Sequence, residues 1–156
     1  ILCLSKAIGG GLPMSLLVFK KEIDTWNAGE HTGTFRGNQL AMVSGAKALE
    51  IIERDSLVEH ANIAGNYLRM GLESIQSRVN CIAEVRGKGL LLGLALTDEY
   101  KGRAKEFMTA GVEHGVMALV AGADVIRFTP SLVIPEADIR EGMARFAKAV
   151  AQVVKG

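Results

Sequence analysis

The chain has 156 residues, of which 49% are hydrophobic and 22% are charged, and its formal net charge is +1. One ordinary hydrophobic core can form at this length, while the nearly balanced charge argues against a surface for nucleic acid or an anionic membrane. Aromatic residues make up only 5% and no apolar run reaches the roughly 20 residues of a membrane span, which disfavours a base-stacking platform and a membrane helix.

The first third of the chain predicts two short buried strands followed by a helix. Residues 1–4 and 15–19 are continuous apolar runs that end at turn residues, as in the strands of an α/β sheet. Residues 23–34 predict a loop-rich connection. From Asn38 to about residues 53–55 the spacing predicts a helix. Its apolar side chains recur every three positions, at Leu40, Val43, Ala46, Leu49 and Ile52.

The remainder of the chain alternates helices and strands and predicts an α+β module. A helix is predicted from residue 56 to 79, with Ser56 as its N-cap. We interpret the apolar stripe of this helix as core packing rather than as a groove for a partner. The stripe consists of Ala64, Leu68, Leu72, Ile75 and Val79. Strands are predicted at 82–86, 90–96, 116–120 and 125–128. Two further helices are predicted, at 101–114 and 135–153.

Lys6 is the first candidate for chemistry, because it lies between the first apolar strand and the glycines Gly9, Gly10 and Gly11. Ligand sites in α/β sheets lie at strand ends. A lysine amine that is shielded from water loses its proton more readily, and the neutral amine attacks carbonyl groups. Glycines let the backbone approach a cofactor closely. A P-loop is excluded by order, because that motif places its lysine after the glycines.

Three segments in sequence order resemble the class III (ornithine-type) aminotransferases, which use pyridoxal 5′-phosphate and have the type I fold. Residues 5–13 resemble the segment whose lysine binds the cofactor covalently, and they read Ser-Lys-Ala-Ile-Gly-Gly-Gly-Leu-Pro. Residues 29–38 resemble the segment that binds the cofactor phosphate, and they read Gly-Glu-His-Thr-Gly-Thr-Phe-Arg-Gly-Asn. Residues 125–132 resemble a substrate-binding segment and read Val-Ile-Arg-Phe-Thr-Pro-Ser-Leu. The resemblance covers essentially the whole chain.

This resemblance implies a role for four residues. Lys6 would be the catalytic residue that holds pyridoxal 5′-phosphate and moves protons. Gly33 and Thr34 would bind the phosphate of the neighbouring subunit's cofactor, which implies a homodimer or a higher homo-oligomer. Arg127 would bind a substrate carboxylate. From the residues alone, a turn-stabilising role for Thr34 and a surface ion pair for Arg127 are alternatives. The three histidines share no metal-ligand spacing, so no metal site is expected.

The resemblance also implies the reaction, which is transfer of an ω-amino group between a small diamino acid and 2-oxoglutarate or glutamate. Arg36 stands where ornithine and acetylornithine enzymes have glycine. The run Thr-Phe-Arg-Gly-Asn resembles diaminobutyrate–2-oxoglutarate aminotransferases, so 2,4-diaminobutyrate is the preferred substrate. The alternative is an acetylornithine, succinylornithine or ornithine aminotransferase, which residues 125–132 resemble equally. Arg36 is predicted either to meet a carboxylate or phosphate, or to cap a helix.

The resemblance assigns the fold as α/β. Residues 1–55 are expected to be the C-terminal part of the large parallel-sheet domain that binds the cofactor, and residues 56–156 a small C-terminal α+β domain. Because the chain opens inside an apolar strand, we expect a C-terminal portion of a longer enzyme, inactive by itself. The alternative from another class of function is a non-catalytic fragment that acts as an assembly or interaction module. The two isolated cysteines, Cys3 and Cys81, are predicted to be buried and reduced, as in a cytoplasmic protein.

Overall fold

The structure is a computed structural model that describes residues 1–155, and these residues form two compact units. The first unit is Ile1–Leu57 and the second begins at Val58. Within residues 1–155, no helix combines the length and the apolar character needed to cross a lipid bilayer.

The first unit is a two-stranded antiparallel sheet followed by one long helix. Its elements are β1 (Leu2–Leu4), a 3₁₀ helix (Lys6–Gly9), β2 (Leu16–Val18), a second 3₁₀ helix (Lys21–Ile23) and α1 (Gln39–Arg54). Cys3 lies opposite Leu17 in the strand pair. The predicted helix is therefore confirmed, and Asn38 caps it, since the Asn38 side-chain oxygen accepts a hydrogen bond from the Ala41 N–H at 3.2 Å.

The apolar residues of this unit are less buried than the sequence predicts. The prediction that both strands are buried was wrong for residues 1–155, where Leu2 and Val18 keep 54% and 53% of their surface exposed. Two strands alone cannot cover both of their own faces. In α1, within residues 1–155, Val43 is exposed whereas Ala41 and Gly45 are buried. The small side chains form the packed face of this helix.

The second unit is an α+β module of one sheet and three helices, as the alternating pattern predicts, and the sheet is antiparallel. Its helices are α2 (Leu57–Gln76, which begins at the unit boundary), α3 (Ala104–Glu113) and α4 (Glu136–Lys155). Its strands are β3 (Ile82–Lys88), β4 (Leu91–Leu96), β5 (Leu119–Val120) and β6 (Val125–Phe128). The strand order is β3-β4-β6-β5, and every neighbouring pair is antiparallel.

The core of this unit lies between the sheet and the three helices. Alternate residues of β6, Ile126 and Phe128, are buried, and the Phe128 ring meets Phe146 of α4 edge to face with 4.9 Å between centroids. The predicted stripe of α2 is buried here at Ala64, Leu68, Leu72 and Ile75. Ser56 does not have the extended backbone typical of an N-cap, because its φ is 50°.

Helix α2 approaches the β3–β4 turn closely through two glycines. A methyl group on Gly65 would overlap the backbone carbonyl of Gly89, so the two backbones are in direct contact. Gly89 itself has a φ of 54°, which a residue with a side chain rarely adopts. The position of α2 on the sheet therefore depends on the absence of a side chain at residue 65.

Candidate active site

Lys6 has an unusual backbone conformation. It opens the first 3₁₀ helix with a φ of 62°, and only Lys6 and Ser56 among the non-glycine residues of the described chain have positive φ. Such a conformation costs about 1–3 kcal/mol and persists where surrounding contacts fix it, often at functional sites. The backbone strain therefore identifies Lys6 as a candidate functional residue independently of its sequence motif.

The side chain of Lys6 is exposed and makes no hydrogen bond or ion pair with any other described residue. Within residues 1–155, Lys6 lies at the end of a two-stranded sheet and is not shielded from water. Its primary amine is free to react with a carbonyl compound. The glycine turn that follows is open at Gly11, where a methyl group would meet no atom within 4 Å.

The glycine turn is held against α1 by residues that sequence reasoning missed. The Ser44 hydroxyl donates a hydrogen bond to the Gly10 carbonyl at 2.9 Å. Gly45 faces the Ile8 carbonyl so closely that a methyl group on it would overlap that oxygen. The available signal was the spacing of small residues on one helix face, at Ala41, Ser44, Gly45 and Ala48.

Gly33 and Thr34 lie in a turn that directly precedes α1. The Arg36 N–H donates to the Gly33 carbonyl at 3.0 Å and closes this turn. Thr34 is exposed, and its hydroxyl has no hydrogen-bond partner within residues 1–155. Arg36 does not cap the helix, because Asn38 has that position. The turn therefore presents a free hydroxyl and a free guanidinium.

The loop before this turn is organised by local contacts. The rings of Trp26 and His31 lie with 4.5 Å between their centroids. The Glu30 carboxylate accepts hydrogen bonds from the Asn27 backbone N–H at 2.7 Å and from the Asn27 side-chain amide at 3.1 Å. These bonds, the backbone bond first, lower the pKa of Glu30 below its usual value. His31 thus contacts an aromatic side chain, and no described contact gives it a direct role in the site.

Arg127 lies in β6 between Ile126 and Phe128, whose side chains enter the core. Because side chains alternate along a strand, Arg127 projects to the other face of the sheet. Its register partners are Gly93 of β4 and Leu119 of β5. The Nε of Arg127 is buried and has no hydrogen-bond partner among residues 1–155. A buried donor without a partner favours binding of an external acceptor such as a carboxylate.

A cavity of about 330 Å³ lies beside β5 and the end of β6. Arg127, Asp138 and mainly apolar side chains, among them Met117 and Leu119, line it. The loop along one side is tied to α2, because His60 Nδ1 lies 2.7 Å from the carbonyl oxygen of Leu132. Since a carbonyl only accepts, Nδ1 must carry the hydrogen. The sequence did not predict this contact.

The candidate residues fall into different units of the structure. Lys6, Gly33 and Thr34 belong to the first unit and Arg127 to the second. No described hydrogen bond joins the Lys6 turn to the Thr34 turn. Within residues 1–155, no three His, Cys, Asp or Glu residues are grouped so as to hold a metal ion. Cys81 is buried, but Cys3 is exposed, so the prediction that both are buried was wrong for Cys3.

Three curated relatives cover nearly all of this chain. It is 44% identical over 154 residues to acetylornithine aminotransferase of Shewanella oneidensis, covering 98% of this chain and 38% of that protein. It is 38% identical to succinylornithine transaminase of Yersinia enterocolitica, and the match covers 99% of this chain and 38% of that protein. It is 42% identical to diaminobutyrate–2-oxoglutarate aminotransferase of Rhizobium meliloti, covering 96% and 35%. The chain therefore spans less than two fifths of these relatives, and the diaminobutyrate enzyme is not singled out among them.

Solved structures show the same fold. N-acetylornithine aminotransferase from Stenotrophomonas maltophilia matches with a TM-score of 0.83 and 31% identity, covering 98% of this chain and 40% of that one. Ornithine aminotransferase from Toxoplasma gondii, whose structure has partial occupancy of pyridoxal phosphate at its active site, matches with a TM-score of 0.90 and 27% identity, covering 98% and 36%. The family model for class-III aminotransferases matches residues 1–150. The chain therefore belongs to the class-III aminotransferase family.

Proposed function

We propose that the protein containing this chain is a pyridoxal-phosphate-dependent aminotransferase that moves the ω-amino group of an ornithine-type amino acid to 2-oxoglutarate. The observation that carries the proposal is Lys6, whose strained backbone presents a free amine and which two residues separate from the glycine turn. Because the chain spans less than two fifths of its curated relatives, the activity is proposed for the whole protein and not for residues 1–156 alone.

The donors in the first unit suit pyridoxal 5′-phosphate, the cofactor of class III aminotransferases. The cofactor has an aldehyde, with which the free primary amine of Lys6 can form a covalent bond. It also has a phosphate, to which the unpartnered hydroxyl of Thr34 and the backbone N–H groups of the Gly33 turn can donate. When bound, the cofactor supplies an electron sink for the pair left by a broken C–H bond.

In the proposed mechanism, Lys6 is both the anchor and the proton carrier. Its Nζ would hold the cofactor covalently before the substrate binds. Once released, Lys6 Nζ would accept the proton from the substrate carbon that bears the amino group and would later donate a proton back. The amino group is retained on the enzyme and passes to the 2-oxo acid in a second half-reaction, which predicts ping-pong kinetics.

Arg127 is proposed to orient the carboxylate of the amino acid or of 2-oxoglutarate. A guanidinium binds a carboxylate through two parallel hydrogen bonds, and the unpartnered Nε of Arg127 is one donor of such a pair. Thr34 is proposed to serve the cofactor of a neighbouring subunit, as the family resemblance implies, which requires at least a homodimer. Both roles orient reactants and leave the chemistry to Lys6.

The substrate proposal favours N-acylated ornithine, and 2,4-diaminobutyrate is the second candidate. The first is supported by relatives that act on acetylornithine and succinylornithine, at 44% and 38% identity. The second is supported by the relative at 42% identity and by the exposed Arg36 in the Thr34 turn. We also propose that residues 1–55 belong to the large cofactor-binding domain and 56–156 to the small domain, in a cytoplasmic enzyme, as the unpaired cysteines favour.

The proposal is tested in the full-length enzyme with Lys6→Ala and the matched surface control Lys20→Ala. Borohydride reduction followed by peptide mass spectrometry should find cofactor on Lys6 in the parent and in the control. Lys6→Ala should lose that adduct and about 10³-fold in turnover, because proton transfer is lost. Donor profiling with N-acetylornithine, N-succinylornithine and 2,4-diaminobutyrate then identifies the substrate. A Lys6→Ala enzyme with parental turnover contradicts the proposal.

A further inference from the structure

We propose that Ser44 and Gly45 of α1 are positioning residues that hold Lys6 in its left-handed backbone conformation. The inference rests on the proposed role of Lys6 and extends it, because it assigns the geometry of the reactive amine to a helix that contains none of the proposed cofactor- or substrate-binding residues. It is carried by two contacts between α1 and the segment that follows Lys6.

The first contact is a hydrogen bond across 34 positions of sequence. The Ser44 hydroxyl donates to the Gly10 carbonyl at 2.9 Å. Gly10 ends the 3₁₀ helix that Lys6 begins, with a φ of 58° and an N–H that donates to the Ala7 carbonyl at 3.0 Å. Ser44 therefore fixes the far end of the turn that starts at the lysine.

The second contact is steric. A methyl group on Gly45 would overlap the Ile8 carbonyl and would lie 2.7 Å from the terminal methyl carbon of Met14. The Ile8 carbonyl therefore packs directly against the backbone of α1 at Gly45. Together the contacts fix positions two and four residues after Lys6, at Ile8 and Gly10.

These contacts matter because a lysine with a positive φ is held only where its surroundings determine the backbone. If the turn loosens, Lys6 can return to an ordinary negative φ, and its side chain then leaves the chain in a different direction. The expected defect is slower reaction at the Lys6 amine. Binding of the 2-oxo acid should not change, because Arg127 lies in the other unit of the structure.

The test compares Ser44→Ala with Ser74→Ala in the full-length enzyme. Ser74 is an exposed helical serine of α2 whose hydroxyl accepts from Arg78, so it controls for the loss of a helical hydroxyl. In cofactor-free protein, hydrogen exchange at the Gly10 and Leu12 amides, which close this turn, should be about five-fold faster in Ser44→Ala, as expected for one lost hydrogen bond. The Ser74→Ala protein should match the parent.

The second measurement is the rate at which added pyridoxal phosphate becomes covalently attached to Lys6. This rate and kcat should fall about five-fold in Ser44→Ala, with KM for 2-oxoglutarate unchanged. Equal hydrogen exchange in Ser44→Ala and Ser74→Ala overturns the inference. Faster exchange with an unchanged attachment rate also overturns it. A parent that attaches no cofactor at Lys6 overturns the proposed function and the positioning role together, so the two failures are distinguishable.

Discussion

At the scale of single residues, Arg127 has a donor that nothing within residues 1–155 satisfies. Arg127→Lys keeps the charge but removes the planar pair of donors. We expect KM for 2-oxoglutarate to rise about ten-fold with a smaller change in kcat, as expected for one lost charge-assisted hydrogen bond. Steady-state kinetics with varied 2-oxoglutarate measures this. Arg140→Lys, at an arginine paired with Glu136 on the surface of α4, is the control, and an unchanged KM at position 127 would contradict the role.

Cys81 gives a residue-scale prediction about pH. Burial raises the pKa of its thiol above the ordinary value. Because the folded state retains the proton longer than the unfolded state, this contribution to stability is complete below the ordinary thiol pKa and is lost as pH rises towards the raised value. The free energy of unfolding should therefore fall more between about pH 8 and pH 10 in the parent than in Cys81→Ala. Denaturant titrations at both pH values measure the difference, and equal slopes with pH would exclude the effect.

At the scale of elements, the contact between α2 and the β3–β4 turn predicts a strong effect of one methyl group. Gly65→Ala should lower the free energy of unfolding by about 1–3 kcal/mol, because the new carbon overlaps the Gly89 carbonyl and the backbone must shift. Gly142→Ala in α4 is the matched control, since a methyl group there meets nothing within 4 Å. That change should stabilise the helix by about 0.5–1 kcal/mol. Thermal or denaturant unfolding compares them, and equal effects would show that the glycine contact does not constrain α2.

The same elements show what the sequence can and cannot predict. Periodicity predicted α2 and its buried stripe because one helix face meets the whole core. In α1, periodicity predicted the helix but not its packed face, since Ala41 and Gly45 carry too little apolar surface to stand out. The burial of β1 was mispredicted because burial depends on neighbouring layers. The positive φ of Lys6 had no signal of its own in the sequence, because the contact of Ser44 with this turn joins residues that are distant in sequence.

The residues of the candidate site also divide into those that the sequence predicts and those that it does not. Lys6 was selected by its position before the glycines and by the family resemblance, whereas Gly33, Thr34 and Arg127 were selected by the resemblance. Spacing did not select Ser44 or His60, because each acts through a contact distant in sequence. Both side chains bond to backbone carbonyls, at Gly10 and at Leu132. A carbonyl belongs to every residue type, so such a contact leaves little trace in the partner's sequence.

At the scale of the whole molecule, the proposed exchange of Thr34 between subunits predicts complementation. Lys6→Ala and Thr34→Ala homodimers should both be impaired. In a mixed dimer, one site has both defects, whereas the other combines a native Lys6 with a native Thr34 and should be active. Unfolding and refolding an equal mixture should therefore restore activity well above the mean of the two separate variants. If Thr34 serves its own subunit, no mixed dimer has an intact site, and the mixture shows only that mean.

Strand β6 also bears on how enzymes of this kind can acquire new acceptors. Ile126 and Phe128 face the core, and Arg127 between them faces the other side of the sheet. With the role proposed for Arg127, stability and acid recognition depend on alternate residues of this one strand. Substitutions at residue 127 can therefore change which acid is bound, while Ile126 and Phe128 continue to stabilise the fold. A library randomised at that single codon should consequently yield mostly soluble proteins whose differences are in the acids they accept.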